Sequence, residues 1–198
     1  MRFLSPPRAR EIEQGPIVTN SDSLSTAPSP SLARHALFSG GIAGAAVVVW
    51  TLLEFAFGFH GERIHLRQYS GLAAMVFPIA AIALGIMRWR DRGLGGTIRF
   101  SQAFGCGLAI GMVFAAIVGA FSWIYVSMIN PSFIESLLAQ YPALMQERGM
   151  TPDEIAAAME VARARSTAGG YAFEVFAQML ISAFLIALFA SVIVRRRS

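Results

Sequence analysis

The sequence predicts an all-α membrane protein, with four transmembrane helices and a helical extracytoplasmic loop between the third and fourth. Three observations carry this. No charge interrupts Ala103 to Ile129, and that run exceeds the about 20 helical residues that a bilayer core requires. Three further apolar runs of spanning length flank it, at about 36–59, 70–87 and 171–194. Of the 198 residues, 55% are hydrophobic and only 14% charged, where soluble domains carry roughly 25% charged residues.

The chain in order supports this division. Residues 1–34 are rich in Ser, Pro and Arg and lack an apolar period. Such a segment buries too little surface to offset its ordering entropy, so a disordered tail is expected. Pro6-Pro7 stands where the apolar core of a secretory signal would lie. Residues 35–198 form the predicted transmembrane domain.

Span one, about 36–59, contains Gly40 and Gly44, a spacing that lets a neighbouring helix approach closely. Glu54 lies within its apolar run, and His60-Gly61-Glu62-Arg63 closes it. Span two, about 70–87, carries Pro78 mid-run, where the missing N–H and the ring predict a kink. Trp89 and three arginines (88, 90, 92) mark an interface, and Gly93-Leu94-Gly95-Gly96 reads as a turn. Span three, about 103–129, places Gly107, Gly111, Ala115 and Gly119 four apart, drawing a small-residue stripe down one face. Trp123 and Tyr125 fit an interfacial aromatic belt, and Asn130-Pro131 ends the span.

The loop 131–170 contains two capping-box patterns, Ser132-x-x-Glu135 and Thr151-Pro152-Asp153-Glu154. Pro142 should break or bend the first helix, and Gly149 can end it. Ile155, Met159 and Ala162 give the second a narrow apolar stripe. Span four, about 171–194, closes on Arg195-Arg196-Arg197 and aligns Glu174, Gln178 and Ser182 on one face.

All 16 basic residues are arginine, a usage that fits a GC-rich bacterial genome. Their positions flank the apolar runs, which assigns a pI near 10.0 to membrane flanks and argues against nucleic acid as a partner. The single Cys106 lies in an apolar span and reads as a buried, inert thiol. With four spans, the N-terminal segment, the 88–99 loop and the C-terminus share one side and hold 11 arginines. The opposite side holds 5. The positive-inside rule therefore places both termini in the cytoplasm of a cell inner membrane.

Phe100-Ser101-Gln102-Ala103-Phe104, Ile129-Asn130-Pro131-Ser132-Phe133, a Met- and Glu-rich loop and an arginine-closed last span occur in that order. Leu84-Gly85-Ile86 before Arg88 and the Gly95-Gly96 turn accompany them. In these features, from roughly Ser39 onward, the chain resembles DUF4199, a bacterial family of four-helix membrane proteins. The resemblance implies an integral membrane protein of unassigned activity and supplies no catalytic residues.

The chemistry that stands out is a pair of intramembrane carboxylates. At 1.5 Å per residue, Glu54 lies roughly 7 Å and Glu174 roughly 5 Å from the outer ends of their spans. An ionisable group in hydrocarbon usually faces the bundle interior or water. With Thr51, Gln178 and Ser182 nearby in register, Glu54 and Glu174 form a candidate polar pocket for a proton, cation or small polar solute. The plainer expectation is that each glutamate reaches the interface or pairs with Arg63 or Arg67. His60, His65 and Glu62 share one loop, but two histidines five apart make a weak metal pattern, so a solvated loop is expected. No catalytic triad, metalloprotease motif or phosphate loop is present in the sequence, and no cofactor is expected.

The expected function is a non-enzymatic membrane or assembly subunit, with the lipid bilayer and a homo-oligomer or membrane-protein partner around it. The alternative is a small ion- or solute-transport component using Glu54 and Glu174. A C-terminal alkaline phosphatase fusion is expected to be inactive; a strongly active fusion would reverse the orientation.

Overall fold

A computed structural model describes residues 31–60 and 67–194. The described residues contain four helices long and apolar enough to cross a membrane: Leu32–Ala56, Tyr69–Gly93, Phe100–Ile129 and Ala168–Val194. The described residues are thus all-α, and the four helices make the chain a multi-pass membrane protein. Residues 1–30, Glu62, Arg63, His65 and the arginine triplet lie outside the described residues.

Helix α1 (Leu32–Ala56) begins earlier than the apolar run suggests. Ser31 takes the N-cap, its hydroxyl accepting from the Arg34 N–H at 3.3 Å. Residues 32–34 are therefore helical and do not belong to the expected tail.

The second span is discontinuous. It consists of α2 (Arg67–Ala74) and α3 (Val76–Gly93), separated at Met75. The kink expected at Pro78 thus falls three residues earlier. The ring of Pro78 excludes a helical bond to the Ala74 carbonyl, so α2 stops there. Pro78 then sits in the first turn of α3, where an N–H has no helical partner to lose. The Gly93–Gly96 turn follows, with Gly95 and Gly96 at positive φ.

Helix α4 (Phe100–Ile124) continues into a π-helical turn, Tyr125–Ile129, closed by the Asn130 N–H on the Tyr125 carbonyl at 2.8 Å. Three short helices form the following loop: α5 (Phe133–Leu138), α6 (Tyr141–Glu147) and α7 (Pro152–Arg165). Pro142 lies in the first turn of α6. Gly149, at φ +81°, terminates α6.

The two expected capping boxes part company. Thr151 and Glu154 cap α7 reciprocally, with the Glu154 carboxylate accepting from the Thr151 N–H at 2.8 Å. That backbone donor, with the Thr151 hydroxyl, holds the Glu154 carboxyl below its ordinary range. Ser132 does not cap α5; its hydroxyl donates to Asn130 Oδ1 at 3.0 Å instead. An asparagine two residues away competes with the helix for the same hydroxyl. Helix α8 (Ala168–Val194) closes the bundle.

The four spans form a ring in which α4 packs extensively on α8 and on α1, while α3 contacts α1, α8 and α4. Helices α1 and α8 occupy the opposite corners, with α3 and α4 between them. Small residues set the α4 contacts. A Cβ built on Gly107 would lie 2.8 Å from Ala187 Cβ, one on Gly119 would lie 2.8 Å from Phe176 Cβ, and one on Gly111 would overlap Ala183. On the other face, Gly40 and Gly44 of α1 abut Val113 and Ile117. Cys106, Ile110 and Ala115 are buried between these contacts.

Gly111→Leu should therefore lower the thermal midpoint in detergent sharply, overpacking a tight contact by about 1–3 kcal/mol or more. Gly41→Leu, with open space around its position, should leave the midpoint unchanged. Equal effects would show that glycine's backbone freedom, and not the close approach, matters.

Candidate functional site

Glu54 does not open to solvent or lipid. It is 8% exposed and sits at the end of α1 where that helix meets the start of α2 and the π-turn of α4. Hydrocarbon offers a carboxylate no hydrogen bonds, so the protein must fill its acceptor sites. Trp50, one helical turn earlier, donates its indole N–H to Oε1 at 2.7 Å. The Ser70 hydroxyl donates to the same oxygen and also receives Trp50 Nε1 at 3.2 Å. His60 Nε2 lies 3.2 Å from Oε2.

The network continues from His60. Its Nδ1 lies 2.5 Å from the Tyr125 hydroxyl, which accepts from Asn130 Nδ2 at 3.1 Å. Ser132 completes the line on Asn130 Oδ1. With the carboxylate ionised, every donor has one consistent direction: Ser132 to Asn130, Asn130 to Tyr125, Tyr125 to His60 Nδ1, and His60 Nε2–H to Glu54. His60, Ser70, Tyr125 and Asn130 are all buried, so the line runs inside the protein.

Aromatic packing seals it. The His60 ring lies 5.0 Å from Phe133 and 5.3 Å from Tyr125, and Phe133 contacts Tyr171 at the start of α8. Phe133, the first residue of α5, is 1% exposed. The π-turn makes this arrangement. Its extra residue brings Asn130 against Tyr125, five positions earlier, in both main chain and side chain.

The residues expected beside Glu54 are elsewhere. Glu174 and Gln178 are exposed on α8, Ser182 is half-buried there, and α8 is diagonal to α1 in the ring. The Thr51 hydroxyl donates to the Val47 carbonyl of its own helix at 2.9 Å. The structure does not bring Glu54 and Glu174 to one pocket. Nor is His60 part of a solvated loop: it is 5% exposed.

Tyr125 turns inward, while Trp123 alone of the expected aromatic pair is exposed at this end. The sequence reading does not expect Trp50, Ser70, Tyr125 or Asn130 beside Glu54; it assigns Tyr125 to the interfacial belt and Asn130 to the end of the third span. The i, i+4 spacing of Trp50 and Glu54 is the one local signal that pointed to a donor.

Tyr125→Phe keeps the ring packing and removes the hydroxyl that His60 and Asn130 share. Loss of a partner for buried polar groups should cost about 1–3 kcal/mol. The thermal midpoint should fall, and limited proteolysis should open α5–α7 before the spans. Glu174→Gln should change neither. An unaltered Tyr125→Phe protein would show that the line contributes nothing to holding the loop.

No characterised protein and no solved structure matched the chain in the comparisons. A family model does match, over residues 39–196, described as a protein of unknown function, DUF4199. That match takes in α1 from Ser39 onward, the other three membrane helices and the helical loop between the last two, and the chain belongs to the DUF4199 family.

Proposed function

We propose that the protein is a non-enzymatic membrane subunit that holds a fixed helical cap, α5–α7, on one side of the bilayer for assembly with another membrane protein or a second copy. The observation that carries this reading is the buried line from Glu54 to Ser132. It fastens the first residues of the cap to α1, α2 and α4 at once, where an unconstrained loop would cost more entropy to dock. Exposed residues on α7, among them Val161 and Glu160, give the cap a surface free of the bundle. The arginine distribution favours both termini in the cytoplasm of an inner membrane, with the cap outside.

A second reading, an ion- or proton-handling component, draws support from the contact of Glu54 with His60, two ionisable groups buried together. It rests on Glu54 and His60 and takes nothing from Glu174.

A photo-crosslinking residue at Val161 should capture a defined membrane protein or a second copy, and Tyr125→Phe should weaken that capture. Proton flux in proteoliposomes that disappears in Glu54→Gln, with no crosslink at Val161, would overturn the assembly reading in favour of the second.

A further inference from the structure

The opposite end of the bundle carries a different kind of site. A cavity of about 200 Å³ is lined by His35, Ser39, Arg88, Trp89 and Arg92. A second, of about 310 Å³, runs between α1 and α3 and is lined by Ile42, Ala46, Phe77, Ala80 and Leu84. Ser39 and Arg88 line both. The two are therefore the polar mouth and the apolar shaft of one groove.

We propose that this groove binds one anionic phospholipid, its phosphate at Arg88 and Arg92 and one acyl chain along the α1–α3 shaft. Arg88 and Arg92 are four apart on α3 and share a face. Neither forms an ion pair or hydrogen bond among the described residues. Arg90, between them, is engaged by Asp91 at 2.6 Å and by the Val194 carbonyl at 3.2 Å. Asp91, the neighbouring carboxylate, is thus turned to Arg90, and two guanidinium groups remain for a phosphate, which arginine binds bidentately.

The rest of the mouth is ordered for a headgroup. His35 Nε2–H donates to the Gly85 carbonyl at 2.9 Å, and the ring packs on Trp89 at 5.4 Å. Both side chains are thereby held in place, and tryptophan is a residue that favours the membrane interface. Ser39 supplies an independent observation. It is 6% exposed, and its hydroxyl is the buried side-chain polar atom that lacks a partner among the described residues. It stands where the mouth meets the shaft, lining both cavities. A buried donor is normally satisfied, and an ester or phosphate oxygen there would satisfy it.

The shaft's length argues for a lipid over a free phosphate. Val76 to Arg88 along α3 is about 18 Å at 1.5 Å per residue, comparable with one leaflet's half of the roughly 30 Å core. Basic pockets between membrane helices are a recurring way to hold anionic headgroups.

The test uses the full chain in nanodiscs of phosphatidylcholine, titrated with phosphatidylglycerol and, separately, with glycerol phosphate. Bound ligand is counted by native mass spectrometry, and thermal unfolding in phosphatidylcholine checks that each variant folds. Phosphatidylglycerol should bind, with Arg88→Gln and Arg92→Gln each losing about fivefold in affinity. Arg34→Gln, an exposed arginine at the same end outside the groove, should lose nothing. Ala80→Phe should block the shaft and weaken phosphatidylglycerol alone. Equal loss in Arg34→Gln, or equal retention of phosphatidylcholine, would overturn the proposal in favour of a diffuse basic surface. Tight glycerol phosphate binding untouched by Ala80→Phe would overturn the lipid as occupant.

Discussion

Lipid tails give an apolar helix no reason to leave them for another apolar helix. Association within a bilayer depends on how closely two backbones can approach and on whether polar groups find each other. This constraint explains the central place of α4. Its glycines meet Ala183, Ala187 and Phe176 of α8 on one face, while its larger residues, Val113 and Ile117, fill the spaces left by Gly40 and Gly44 of α1. Gly107 and Gly111 meet alanines on one side, with Gly119 under Phe176, and larger α4 residues fill the glycine gaps of α1 on the other. Helix α3 completes the ring, and Arg90 joins it to the last carbonyl of α8.

The second half of the constraint is visible at the far end. A carboxylate in the bundle draws donors from four different elements: the indole of α1, the hydroxyl of α2, the imidazole after α1 and, through it, the phenol of the π-turn. Each of these groups taken alone would be costly to bury. Together they satisfy one another, and the short helices of the loop inherit their position from that agreement. The two ends of the molecule therefore differ in kind. One is internally satisfied, with its charges and hydroxyls turned on each other. The other presents Arg88, Arg92 and Ser39, whose side chains have no polar partner among the described residues, along one groove.

The four spans were legible in the sequence because bilayer thickness sets a minimum length for all of them and charge is sparse in each, Glu54 and Glu174 being the exceptions within long apolar runs. The small-residue stripe was legible for a similar reason, since α-helical periodicity projects every fourth residue onto one face. The break at Met75 was less so: a proline reports that a helix is interrupted nearby, but whether it kinks a helix or begins a new one depends on which carbonyl the chain gives up. The polar line was hardly legible at all. Glu54 announces itself, yet its partners Ser70, Tyr125 and Asn130 are distant in sequence, and depth alone does not tell which corner of a ring a residue faces. Glu54 and Glu174 have similar predicted depth and lie on helices at opposite corners.

A π-helical turn is an α-helix carrying one surplus residue. Excision of any one residue between Tyr125 and Ile129 would restore ordinary winding and rotate everything that follows by about 100° around the axis. Asn130 would then swing from beneath Tyr125, and Phe133 would leave the ring of aromatics at the entrance to α8. The placement of the whole loop, some forty residues on to α8, thus turns on counting: a single codon's worth of length at this bend decides where that loop is aimed.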